Sequence, residues 1–265
     1  MTLYQRRNVV SELFETTCFS KLCQIAKNPP KNALFIFDID EVLICARDQV
    51  LRPPHKEKWL YEYIDSRYPP EEAKHLSGYI WSYYETDLVD HSLPEIIGML
   101  TSSHAYTIAL TAGWNGRLGH LDNHCDIRVQ KLLNYGLDFS KSFDVEGELF
   151  FPELMYCGKT ASFKKGITFA CMQPKHLVLE AFLKKLSFTP SEVHFIDDYM
   201  PNLTGMRAYC QEKGMNFYGY HYKGVEAREK DFLNERRAHF QYQTVLTTKK
   251  WLSDAEADEI LRKHR

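Results

Sequence analysis

Apolar runs that end in acids or hydroxyls recur along the chain and set its plan. Ala33-Leu34-Phe35-Ile36-Phe37, with Ile39 beyond Asp38, is nearly continuous in apolar character, as expected of a strand covered by helices on both faces. Tyr106 to Thr111 (YTIALT) and Val193 to Asp197 (VHFID) repeat the pattern. Elsewhere the period lengthens to that of helices: Leu177, Val178, Ala181, Phe182 and Leu186 follow Pro174-Lys175 and stop at Pro190, and Leu132, Leu133 and Leu137 follow a start near Asp126 and close at Asn134-Tyr135-Gly136. Asn216 to Tyr222 reads as a further strand, and residues 147–151 and 166–170 as short strands of a hairpin. Between Asn8 and Lys27, Val9, Val10, Leu13, Phe14, Leu22, Ile25 and Ala26 predict one amphipathic helix, stopped by Asn28-Pro29-Pro30. Buried strands alternating with helices predict an α/β fold: a three-layer α/β/α, Rossmann-like parallel sheet.

Residues 45–104 interrupt that alternation with an aromatic-rich stretch. Trp59, Leu60, Tyr61, Tyr63 and Ile64 precede a helix start at Pro69-Pro70-Glu71-Glu72, and Leu76, Tyr79, Ile80, Trp81, Tyr83 and Tyr84 follow it. Ser92 with Glu95, and Ser253 with Glu256, have the spacing of capping boxes. The expected organisation is a core of residues 1–44 and 105–222, a small helical insert at 45–104 and a helical extension at 223–265.

Composition changes this picture little. In 265 residues, 44% hydrophobic and 26% charged with a net charge of -2, there is no excess of one sign to call for nucleic acid or an anionic membrane as partner. The seven cysteines are odd in number and never spaced Cys-x-x-Cys, which suits reduced thiols. No apolar stretch approaches the length of a membrane span, and the first residues lack the apolar block of a signal peptide. The expectation is a cytoplasmic protein with no transmembrane segment, with signal-independent export left open.

The chemistry lies at the strand ends. Asp38 and Asp40, one residue apart on an extended chain, aim to one side; carboxylates at the end of a buried strand need a partner, a proton or a metal. The carboxyl ends of parallel strands line one crevice, so Asp38, Asp40, Thr111, Asp197 and Asp198 are expected to converge there, with a lysine nearby. An oxygen-only set of this kind suits Mg²⁺, and a hydroxyl and an ammonium beside it suit a phosphoryl group. His120 and His124, four apart, lack an acidic or Cys companion and read as surface rather than metal ligands.

These motifs resemble those of the haloacid dehalogenase-like (HAD) phosphohydrolases. The first matches Phe37-Asp38-Ile39-Asp40-Glu41-Val42, with Glu41 where the family commonly has Gly; the second matches Ala109-Leu110-Thr111; the fourth matches Phe195-Ile196-Asp197-Asp198, with Asn202 following. Lys175, at the head of a helix, fits the third, with Lys164 and Lys165 as rivals. The layout is also similar to an uncharacterised bacterial HAD-like family with a Gly-Ile-Thr-Phe-type strand, here at residues 166–169, and a Leu-Ser-Asp-like tail, here at 252–254. The resemblance implies a phosphatase acting through an aspartyl-phosphate on Asp38, with Asp40 as general acid and base. It implies Mg²⁺ on Asp38, the Asp40 carbonyl and Asp197 or Asp198, and phosphate contacts from Thr111 and Lys175; Ala112 and Arg117, which follow Thr111 closely, and Asn202, which follows the fourth motif, are expected at the substrate. The insert occupies the place of a cap, and the substrate expected is a phosphoprotein or a small phosphoester. The alternative is a catalytically silent module of the same fold that binds a phosphorylated or protein partner.

Overall fold

The computed structural model describes residues 9–56, 58–59, 64, 66–228 and 232–263; Asn8, Leu60, Tyr61 and Tyr63 of the expectations above lie outside them. In chain order the elements are β1 (Ser11–Thr16), α1 (Ser20–Ala26), β2 (Leu34–Phe37), β3 (Ile44–Ala46), α2 (Pro70–Tyr83), β4 (Thr86–Leu88), α3 (Leu93–Thr101), β5 (Tyr106–Thr111), α4 (His124–Asn134), β6 (Glu148–Tyr156), β7 (Lys159–Lys164), β8 (Ile167–Phe169), α5 (Lys175–Lys185), β9 (Glu192–Asp197), α6 (Met200–Glu212), β10 (Asn216–Tyr222), α7 (Gly224–Arg228), α8 (Glu235–Thr248) and α9 (Asp254–Lys263). They fall into two compact units.

The first unit contains the chain through Leu43, then Asp90–Asn115 and Cys125–Val225. Its sheet runs in the order β1-β10-β9-β2-β5-β8-β7-β6, parallel from β1 to β8 and antiparallel at β7 and β6. Every residue of β2 is buried, because the strand is central and helices such as α5 and α6 press Val178, Phe182, Leu203 and Met206 onto the sheet. After β2 the chain forms β5 beside it, goes to the far edge at β6, returns through β7 to β8, and α5 then carries it to β9 on the other flank of β2. The strand order therefore reverses beside β2, the position at which an open α/β sheet forms a ligand crevice at its carboxyl edge. The Rossmann-like α/β architecture expected from the sequence is present.

Three local expectations are corrected. The helix expected over Asn8 to Lys27 is a helix only at α1; Ser11–Thr16 instead pairs with β10, from Ser11 opposite Phe217 to Thr16 opposite Tyr222, because an open sheet edge outweighs a local helical period. The strands near 147–151 and 166–170 do not form a hairpin with each other: β7, hidden in the polar-looking KTASFK, lies between them, with Ser162 opposite both Phe150 and Phe169. Ser92 does not cap α3 through its side chain; its N–H and hydroxyl donate to Asp90 Oδ1 at 2.9 and 2.7 Å.

The second unit contains Ile44–Val89, Gly116–His124 and the chain from Glu226 on. β3 and β4 pair antiparallel, and α2 packs its Leu76 and Ile80 in one apolar cluster with Trp59, Tyr84, Tyr242, Val245 and Trp251. The helices expected as a separate extension thus share a core with the insert. Residues 90–104, expected in the insert, belong to the first unit, where α3 buries Leu93, Ile96, Ile97 and Leu100. The capping box at Ser253 is formed: Ser253 N donates to Glu256 Oε2 at 2.8 Å and Glu256 N to Ser253 Oγ at 3.3 Å. No helix among the described residues is long and apolar enough to cross a membrane.

Candidate active site

Asp38 leaves the end of β2 with its N–H on the Ile196 carbonyl at 2.9 Å, which ties the first aspartate to the neighbouring strand. That strand, β9, ends in Asp197 and runs on to Asp198. One oxygen from each of Asp38, Asp197 and Asp198 lies within 4.8 Å of the others. Lys175, at the first position of α5 behind Pro174, is buried, with Nζ 2.7 Å from Asp38 Oδ1 and 2.8 Å from Asp197 Oδ2. Proline at that end of the helix lacks the N–H that would go unpaired there, and it delivers the lysine to the carboxyl edge of the sheet.

Asp197 is held from behind as well. Its Oδ1 accepts from Tyr199 N at 2.8 Å and from Asn202 Nδ2 at 3.1 Å, so Asn202, expected at the substrate, orients an aspartate. His221 on β10 faces Asp197 across the strand pair, and its Nε2 lies 2.9 Å from the Asp198 carbonyl.

The charges do not balance within this group. Burial drives the Asp38 carboxyl well above its ordinary range, the negative charges of Asp197 and Asp198 push it further, and the Lys175 ammonium opposes them. Lys175 itself is held above its ordinary value: burial alone would lower it, and Asp197 and Asp38 more than offset that. One ammonium thus serves two buried carboxylates, with a third close by.

Thr111 ends β5, the other neighbour of β2, and is buried. Its Oγ1 accepts from Gly113 N at 3.0 Å, an arrangement that leaves the hydroxyl proton to donate to an anion. The following loop is fixed by Cys171 N on the Gly113 carbonyl at 3.1 Å and Met172 N on the Ala112 carbonyl at 2.9 Å.

Asp40 has a different partner. Arg128 of α4 reaches its Oδ2 at 2.6 Å. Glu41 takes the left-handed backbone that glycine favours, at φ 65, and Leu43 N closes the turn on the Ile39 carbonyl at 2.9 Å.

Lys164 and Lys165 stand apart from this group. Lys164 Nζ is 2.5 Å from Asp126 Oδ1, and Lys165 sits in the β7–β8 turn at φ 48. Arg117 belongs to the second unit, where it is exposed and its Nε donates to the Gly119 carbonyl at 3.1 Å. His120 stacks on Tyr79 with ring centroids 4.1 Å apart, and His124 begins α4. Arg128 and His221 are not among the site residues expected from the motifs. The signal for Arg128 was its place in the helical series Cys125, Arg128, Val129, Leu132, where an arginine falls among residues that all prove buried.

Fold and site together define an α/β protein with clustered carboxylates and a buried lysine at the switch point of its sheet. Residues 15–258 match a family described as protein of unknown function (DUF2608), and the chain belongs to that family. No curated protein matches it.

Proposed function

We propose that the protein is a Mg²⁺-dependent phosphomonoester hydrolase of the HAD type that works through an aspartyl-phosphate on Asp38. The observation that carries this reading is the convergence of Asp38, Asp197 and Asp198 at the ends of adjacent strands with Lys175 from the head of α5. The donor set suits a hard cation: the carboxylate oxygens lie within 4.8 Å of each other, and ligands at about 2.0–2.1 Å from one Mg²⁺ stand up to about 4.2 Å apart, so a small approach brings them onto one ion. Bound by Asp38, Asp197 or Asp198 and the Asp40 carbonyl, a divalent ion would supply positive charge against which the phosphoryl oxygens and these carboxylates could approach.

The chain's own residues account for the remaining chemistry. A carboxylate oxygen of Asp38 forms a bond to phosphorus as the bond to the leaving oxygen breaks. Lys175 and the Thr111 hydroxyl hold phosphoryl oxygens, on which charge spreads during transfer. Asp40 gives a proton to the leaving oxygen, then takes one from the water that frees phosphate and restores Asp38. The second unit enters the chain just after this motif, the place of a cap in such enzymes, and under this reading it selects between small phosphoesters and phosphoproteins.

The test is hydrolysis of p-nitrophenyl phosphate with Mg²⁺ and with EDTA. Turnover that needs the metal and is lost in Asp38→Asn supports the reading; turnover unchanged in that variant defeats it. A second reading, a silent module that binds a phosphorylated partner, draws on one observation: Lys175 already bridges Asp38 and Asp197 and so offsets part of their charge without any metal. It requires tight binding of a phosphorylated ligand with no turnover across phosphosugars, nucleotides and phosphotyrosine peptides.

A further inference from the structure

We propose that Arg128 is a positioning residue that sets the carboxylate of Asp40, an inference that rests on the hydrolase reading. A guanidinium is costly to bury unless it is paired, and the Arg128 side chain is only 6% exposed. It comes from α4, between Cys125 and Leu132, which face the interior, yet it reaches outward to a carboxylate that is 34% exposed in the turn after β2. An arginine serving packing alone has no need to grip a group that water can reach.

The other side of Asp40 is fixed by backbone. Glu41 is buried and held at φ 65, a conformation that residues other than glycine disfavour and that persists where the surroundings over-determine it. The hydrogen bond from Leu43 to Ile39 closes the same turn. The turn fixes where the Asp40 side chain starts, and Arg128 fixes where it ends. In the proposed reaction that carboxylate must serve the leaving oxygen and then a water at one phosphorus atom. An untethered aspartate would divide itself among three staggered rotamers.

Two measurements test this. In crystal structures of the wild type and Arg128→Gln, Asp40 is expected to leave its rotamer while Asp38, Lys175 and Asp197 keep theirs; an Asp40 that stays put overturns the proposal. With p-nitrophenyl phosphate and Mg²⁺, Arg128→Gln is expected to lower kcat by about 10- to 100-fold, the scale of a misplaced reacting group, with KM within about twofold. Arg128→Lys, the variant to use should Arg128→Gln fail to fold, is expected to recover part of the rate. Asp40→Asn alone and Asp40→Asn with Arg128→Gln are expected to fall to the same residual rate, because residues that act through one another do not add; losses that multiply overturn the proposal. A wild type that hydrolyses no phosphoester defeats the hydrolase reading, and the Asp40 rotamer then still decides what Arg128 does.

Discussion

Each compact unit holds a cluster of buried polar groups, and the two clusters are built in opposite ways. In the second unit the oxygens of each carboxylate diverge. Asp48 takes the Trp251 indole N–H at 2.7 Å on one oxygen and Asp254 N at 2.8 Å on the other. Asp254 accepts from Gln49 N and Gln241 Nε2 at 3.0 Å each and meets Arg237 at 2.9 Å. These bonds join residues 48–49 to residues 237–254, so the cluster is a clasp between distant segments. In the first unit, oxygens of Asp38, Asp197 and Asp198 converge on one region of space, and one ammonium serves the first two. Diverging carboxylates that receive N–H donors tie chain to chain; converging ones repel, and they persist in a fold when something positive is to be held among them.

Four experiments would break or sharpen that contrast. The largest effect is expected for Asp38→Asn, which should reduce phosphoester turnover by about 10⁴-fold or more if the converging group is a nucleophilic site, read as nitrophenolate release. Trp251→Ala should cost about 3–5 kcal/mol of stability, since it removes a buried ring and the indole N–H that one oxygen of Asp48 accepts, read as the urea midpoint. Mg²⁺ at about 100 times its dissociation constant should stabilise the protein by about 2.7 kcal/mol, and Asp198→Asn should weaken that gain. The same melts carry a pH signature. The Asp38 carboxyl is raised in the fold, mainly by burial, so the metal-free protein binds a proton more readily folded than unfolded. Its contribution to stability is present at low pH and is lost as pH rises through the folded value; bound cation should flatten that loss. The smallest effect is expected for Ser253→Ala, about 1 kcal/mol from the lost cap at α9.

The central strands were legible because burial on both faces leaves an unbroken apolar run, and β10 has the bounds read from the sequence, Asn216–Tyr222. The edge strand β1 and the interior strand β7 were not. β1 alternates too weakly to distinguish a strand from a helix, and β7 carries Lys159 and Lys164 at its ends. Within the site, Asp38, Lys175, Asp197 and Asp198 were legible because each stands at the end or start of an element whose period is clear. Arg128 was overlooked because a charged residue on a helix reads as solvent-facing until its apolar neighbours are counted. The union of the insert with the last helices left no local trace: Tyr242 and Val245 show that α8 has an apolar face, and nothing near them in the sequence names Trp59 or Ile80 as what it covers.

That shared core has a consequence during translation. The apolar faces around Trp59 and Ile80 are made early, yet the helix that covers them starts at Glu235. At about 5–20 residues per second the ribosome would leave them bare for roughly 10–30 s. A nascent chain arrested before α8 therefore presents a sticky surface to chaperones even if its central sheet has already formed.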